Sequence, residues 1–436
     1  MQGNVASTPH LRRIGGVVTI LSMAAILFAT LLPESGETVT SHLCLVCGSR
    51  GTVDVILNVL LFLPLGVGLA LLGVPAKRGI LMMCALSVLI ETAQLLTIPG
   101  RDATIGDVLT NTLGGILGFA ASRETRIWLR PTPGEATFFI VSWAGMWLAI
   151  QTISSFAFVP SIPESQYYGQ LAPSLGNFAV FPGRVVTAGL EGIPIPNAAF
   201  DDSRDARLRL LHGATVTATV VAAETTREIA PIVRVADAEE RELVLLAQNG
   251  TDLLFAIRSG AQALRLRPPL LALPQVFAKS ALERRTIADT LGVSGRYVSR
   301  EVRMSARTAS ETHRVRIPLT SSLGWTLVLP SQWFIEGTPA EQAVSGIWVA
   351  CLVLPFGYWA PYAARHLWAQ NASRVRAGLL WLAGLAVVYG GLVGAPYAFG
   401  LTATPFREWL AALAGLLMGT GLAARIGKPS EAARAR

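Results

Sequence analysis

Charge is what this chain has least of. Only 15% of its 436 residues are Asp, Glu, Lys or Arg, against 52% apolar, too little charge for a soluble protein of this length. Histidine and cysteine are scarce as well, at five and four residues. His10, His212, His313 and His366 are scattered, and Cys84 and Cys351 sit inside apolar runs, where a thiol packs as a small hydrophobe. No Walker loop, Gly-rich dinucleotide turn, His-Glu-x-x-His helix or Gly-x-Ser-x-Gly elbow occurs. An ATP-driven pump and a zinc hydrolase are therefore disfavoured, and neither a cofactor nor a resident metal is expected. The net charge of +8 comes without a basic stripe interleaved with aromatics, so it implies basic membrane loops, not a nucleic-acid partner.

What the chain does have is long apolar runs. A membrane-spanning helix needs about 20 apolar residues. Five such runs fall at 14–32, 53–74, 79–98, 104–121 and 136–156, and three more at 344–364, 377–398 and 406–424. The first follows Arg12 and Arg13 and is longer than a signal-peptide core, which predicts a retained anchor. With the N-terminus inside, fourteen Lys and Arg, from Arg12 to Arg436, fall on inner segments, against Arg50, Arg101 and Arg407 on short outer ones. That asymmetry predicts two cytoplasmic termini. It also puts the segment after the fifth helix outside.

Between the two sets of spans, alternating or β-branched stretches recur at 214–222, 230–236, 242–247, 252–258, 296–303 and 313–317. Asn249-Gly250 between two of them is a hairpin signal. Residues 157–200, rich in Pro and Gly, read as an irregular lead-in. The expected fold is thus an α-helical polytopic membrane protein of about eight transmembrane helices, with an inserted extracytoplasmic all-β sandwich of about ten strands, of jelly-roll type. The expected parts are a membrane domain at 1–156, the β domain at 157–340, and a C-terminal membrane domain at 341–436.

Polar residues inside a membrane cost free energy and ask for a reason. Asp54 and Asn58 open the second run, Glu91 and Gln94 close the third, and Asp107 and Asn111 open the fourth. Each pair is spaced to share a helix face. At 1.5 Å per residue, Asn58, Glu91 and Asn111 all fall roughly 8–11 Å below the outer surface, with Arg101 in the loop just above. These seven residues are the candidate ligand-binding set, facing one pocket open to the outside. Asp-Val-x-x-Asn-x-Leu occurs at 54–60 and again at 107–113, on two helices running the same way. Gly114 and Gly118 form a small-xxx-small pattern for close helix packing.

The stretch from Asp54 to Gly118, with Asn58, Leu-Phe-Leu-Pro-Leu-Gly at 61–66, Glu91-x-x-Gln94, Arg101, Asp107 and Asn111-Thr-Leu-Gly114, resembles the VanZ-like family of membrane proteins. That resemblance implies a cell-envelope role and a link to glycopeptide (teicoplanin-type) resistance, and it names no reaction. Ile232 to Ile257, with Gln248-Asn249-Gly250-Thr251-Asp252-Leu253, resembles a concanavalin-like (laminin-G-type) sandwich, a fold that often binds carbohydrate.

Three functions follow as expectations. The pocket would bind a membrane lipid or lipid-linked glycan, Arg101 meeting an anionic head group, with the β domain recognising surface polysaccharide. Alternatively the chain is a scaffold in an exopolysaccharide or envelope assembly system, its polar cluster acting as helix glue. As an enzyme it would be a membrane-embedded transferase or hydrolase on a lipid-linked substrate. In the first outer loop, Cys44-x-x-Cys47 with His42 leaves a disulfide, idle thiols, half a metal site and a redox motif all open. Trp325 and Trp333 are expected as core or interface anchors, not sugar platforms. Neither the ligand nor the oligomeric state follows from these residues.

Overall fold

In a computed structural model the described residues are 9–31, 45–97, 103–176, 178–221, 224–278, 290–298, 300–308, 311–369 and 374–427. They form two compact units, one of Met1–Val141, Phe356–Ala377 and Met418–Arg436, the other of Ser142–Pro355 and Gly378–Leu417.

The first unit begins with α1 (Pro9–Leu31), α2 (Gly51–Leu71), α3 (Ala76–Thr97) and α4 (Ile105–Arg123), followed by a short α5 (Thr125–Leu129). These bounds follow the apolar runs to within a few residues. Ile26, Phe62, Leu65, Leu69, Met83, Ile90 and Phe119 make its core, and α2 passes through Pro64 without a break. Glycine sets how closely α2 and α4 approach. A methyl group at Gly114 would overlap the Val59 carbonyl, one at Gly118 the Leu63 carbonyl, and one at Gly66 the Gly115 carbonyl. Val59 faces Gly114 and Leu63 faces Gly118, so the two helices run parallel with backbones in contact. Their common direction accounts for the Asp-Val-x-x-Asn-x-Leu echo: each copy opens one helix at the same end.

The remaining long helices are α6 (Pro133–Ala157), α9 (Pro339–Ala369), α10 (Arg374–Tyr389) and α12 (Phe406–Ile426), with α11 (Ala395–Ala398) after a π turn at Gly390–Gly394. Six described helices are long and apolar enough to cross a membrane: α1, α2, α3, α6, α9 and α12. The expected fourth span, α4, is helical, but its glycines and polar opening residues keep it out of that set. The expected seventh run is helical from Arg374 to Ala398, carried through the π turn, and Leu382–Ala398 is a shorter apolar stretch within it.

The second unit contains two six-stranded sheets. The first has the order β1 (Tyr167–Leu171), β5 (Ala230–Asp237), β6 (Glu242–Asn249), β7 (Asp252–Ile257), β8 (Leu270–Leu273) and β12 (Phe334–Ile335). The second has the order β11 (Thr312–Pro318), β10 (Glu301–Arg307), β9 (Leu291–Val298), β4 (Thr215–Val221), β2 (Arg184–Leu190) and β3 (Ile193–Pro194). Helix α7 (Ser203–Leu211) and a short α8 (Gly260–Ala263) lie between strands, so the region is not purely β.

Sequence pattern explains the difference between the sheets. Strands β5 to β8 read as near-continuous apolar runs and are buried along almost their whole length, whereas β9 alternates strictly between buried and half-buried positions. Asn249 pairs with Asp252 across a loop opened by Gly250, whose φ of +57° suits glycine. Two expectations are corrected. The lead-in at 157–200 carries β1, β2 and β3, because short strands fit between its prolines; β2 and β3 turn through Glu191 and Gly192, both at positive φ. The single strand expected at 296–303 is the end of β9 and the start of β10, paired Val298 to Glu301. The buried positions change from odd-numbered in β9 to even-numbered in β10, so the turn shows as a one-residue slip in the alternation.

Candidate functional site

The site lies where the N-terminal ends of α2 and α4 meet the C-terminal ends of α1 and α3. Thr104 is the N-cap of α4, and its hydroxyl accepts from the Asp107 backbone N–H at 3.1 Å. In a capping box the carboxylate three residues on returns to the N-cap N–H. Here Glu91 of α3 takes that place: its Oε2 accepts from the Thr104 N–H at 3.0 Å. The Asp107 carboxylate is thereby turned toward other donors. Its Oδ2 accepts from the Thr104 hydroxyl at 2.7 Å and its Oδ1 from the Asn58 amide at 2.6 Å. A hydrogen-bonded chain of Asn58, Asp107, Thr104 and Glu91, its last link made by the Thr104 backbone N–H, thus crosses from α2 through α4 to α3.

One turn deeper, the Asn111 amide donates to the Ser87 hydroxyl of α3 at 3.0 Å. Asn111 is 2% exposed, and its Oδ1 has no hydrogen-bond partner. Such an atom is costly in an apolar interior. Gln94 donates instead to the Thr30 carbonyl of α1, at 2.9 Å. Glu91 and Gln94 are buried, Asn58 and Asp107 half-buried.

Of the sequence-derived set, Asn58, Glu91 and Asp107 are joined in one network, with Asn111 and Gln94 on the adjoining helix contacts. Asp54 shares a helix with Asn58 but is exposed, so the i, i+4 spacing does not bring both inward. Arg101 lies outside the described residues. Thr104, Ser87 and Thr30 were missed; only Thr104 carried a signal, as a Thr-x-x-Asp helix start. Cys47 is disulfide-bonded while Cys84 and Cys351 are free; Cys44 and His42 lie outside the described residues. Among the described residues no three His, Cys, Asp or Glu side chains gather as a metal site. In the second unit Trp325 is buried, donates to Ser345 at 3.0 Å and meets Trp333 edge-on at 5.5 Å, so the pair serves packing.

Apolar helices of spanning length, joined at one end by buried polar side chains and interrupted by a two-sheet region, define a multi-pass helical membrane protein. Within it, residues 11–128 match the family model VanZ/LLP1 and form a VanZ-like domain, from α1 to α5. The match begins well before Asp54, taking in α1, whose Thr30 carbonyl holds Gln94. No curated protein and no solved structure matches the chain.

Proposed function

We propose that the VanZ-like domain holds the head group of an anionic envelope lipid or lipid-linked glycan precursor where α2, α3 and α4 meet. The chain then lies in a bacterial cytoplasmic membrane, which rests on the family, with both termini inside and residues 157–340 outside, as the Lys and Arg asymmetry implies. The observation that carries the reading is the polar network itself, set in apolar helices beside a buried Asn111 oxygen with no partner. Carboxylates and amides side by side suit the hydroxyls of a sugar or glycerol head group. Arg101 would supply the bidentate donor that a phosphate needs. A link to teicoplanin-type glycopeptide resistance is the physiological form of this proposal and rests on the family alone.

Native mass spectrometry of the detergent-purified protein tests it, with the Glu91→Gln/Arg101→Ala double variant beside wild type. An anionic lipid or lipid-linked sugar carried by wild type and lost in the variant is expected. Identical lipid content in both would overturn the reading. A structural role is the second reading, favoured because Asn58, Asp107, Thr104 and Glu91 bond directly to one another. It predicts that the double variant lowers Tm and leaves bound lipid unchanged.

A further inference from the structure

We propose that the outer face of the second sheet binds an anionic polysaccharide, a glycan bearing carboxylate or phosphate groups. Strand register carries the argument. Arg316 of β11 pairs with Arg303 of β10, and Arg303 pairs with Arg296 of β9. Directly cross-strand residues point to one face, so three arginines stand in one row, about 5 Å apart from strand to strand. Two residues along, the next row is Arg314, Ser305 and Ser294. Two further along, Arg307 stands on the same face. The opposite face carries Val302, Met304, Ala306, Val293 and Tyr297, all buried, so the arginine face is the outer one.

Five arginines on one face repel each other, and the sheet offsets little of this from within. Glu301 is the one acidic residue in these rows, pairing with both Arg303 and Arg316, the latter at 3.4 Å. Those two arginines still keep 50% and 66% of their side-chain surface exposed. Arg296 donates to the Gly213 carbonyl at 2.6 Å, and neither Arg307 nor Arg314 has a carboxylate partner among the described residues. Arginines that outnumber the carboxylate beside them, set at strand spacing, are bidentate receptors for carboxylate and phosphate. Ser294 and Ser305, hydrogen-bonded to each other at 2.8 Å, lie between the arginines as a floor of hydroxyls suited to sugar.

The face also argues against other anionic partners. It presents no aromatic ring on which nucleic-acid bases could stack. Nor does it present the Trp, Tyr or Phe that anchors a protein surface in a lipid interface. The proposal is independent of the head-group site, since no residue is shared.

The test uses the full-length protein in detergent, titrated with polygalacturonate, neutral dextran, oligothymidylate and phosphatidylglycerol vesicles. Polygalacturonate is expected to bind, more weakly as salt rises, and dextran not at all. Arg307→Ala/Arg314→Ala should weaken polygalacturonate binding by about tenfold or more, while Glu91→Gln leaves it unchanged. Should the pair lower Tm, the single exposed change Arg314→Glu reads the same charge. Equal binding by wild type and both variants overturns the proposal. Oligothymidylate or vesicles binding as tightly as polygalacturonate overturns it too, in favour of a nucleic acid or a lipid surface.

Discussion

The VanZ-like helices and the β region bury polypeptide in opposite ways. Between α2 and α4 contact is made by the absence of side chains: glycine meets carbonyl, and the few polar residues are drawn into bonds between helices. In the first sheet contact is made by bulk. Val244, Leu246, Phe255 and Leu271 lie on one face and Leu245, Ala247, Leu254 and Ala272 on the other, all buried. The contrast follows from the solvent each part was selected against. In hydrocarbon an apolar side chain gains little by meeting another, so close backbone approach and polar bonds decide association. In water, removal of apolar surface decides it.

The comparison breaks first at Gly118. Gly118→Leu puts a side chain through the Leu63 carbonyl and should leave no folded VanZ-like domain, judged by a dispersed size-exclusion profile; Gly16→Leu, with nothing within 4 Å of its Cβ, should not. If Gly118→Leu folds normally, glycine contact does not set the α2–α4 approach. Next in size, Phe255→Ala empties the space between the sheets, where the ring lies against Gly295. It should cost about 3–5 kcal/mol in denaturant unfolding of the β region, while leaving the helical part unaffected. A loss shared by both parts would show that they unfold as one.

A third, smaller effect separates the regions by pH. The Tyr167 hydroxyl, buried and donating to the Pro163 carbonyl, is pushed up to about 12, chiefly by burial. A raised pKa favours the protonated folded state, so this stabilisation is intact below about 10 and is lost as pH climbs toward 12. The alkaline limb of β-region stability should therefore flatten in Tyr167→Phe; an unchanged limb assigns the loss to another group. Smallest is Asn58→Leu, which removes one bond to Asp107 and should lower helical-domain stability by about 0.6–2 kcal/mol. A greater loss would mean that the whole polar chain acts cooperatively.

Helix positions were legible because spanning runs are long and nearly uncharged, and the α2–α4 contact was legible in Gly114 and Gly118. Strands β4 to β7 were legible by alternation and by Asn249-Gly250. Short strands set among prolines were not, since β3 has only two residues, Ile193 and Pro194, and owes its place to its neighbour. In the site, carboxylates and amides stand out against apolar sequence, so Asn58, Glu91 and Asp107 could be found. Thr104 carried only the signal of a helix start, and Ser87 and Thr30 carried none: hydroxyl residues are common in such helices, and Thr30 contributes only its carbonyl. Asp54 shows the limit of helical spacing, which gives a shared face without saying which way that face turns.

The last strand of the first sheet ends at Ile335, and α9 begins four residues later at Pro339. That connection is stitched down. Glu341 accepts from the Trp333 indole at 2.9 Å and from the backbone N–H of Gly337 and Thr338 at 2.7 and 3.1 Å. At the other end of the insertion, the Tyr297 hydroxyl of β9 donates to the Phe158 carbonyl just past α6. The β region is therefore hung from both its stalks by short, bonded joints, not tethered by free linkers. A load applied to its strands passes to the ends of α6 and α9 with little slack, as through a bracket bolted to two posts.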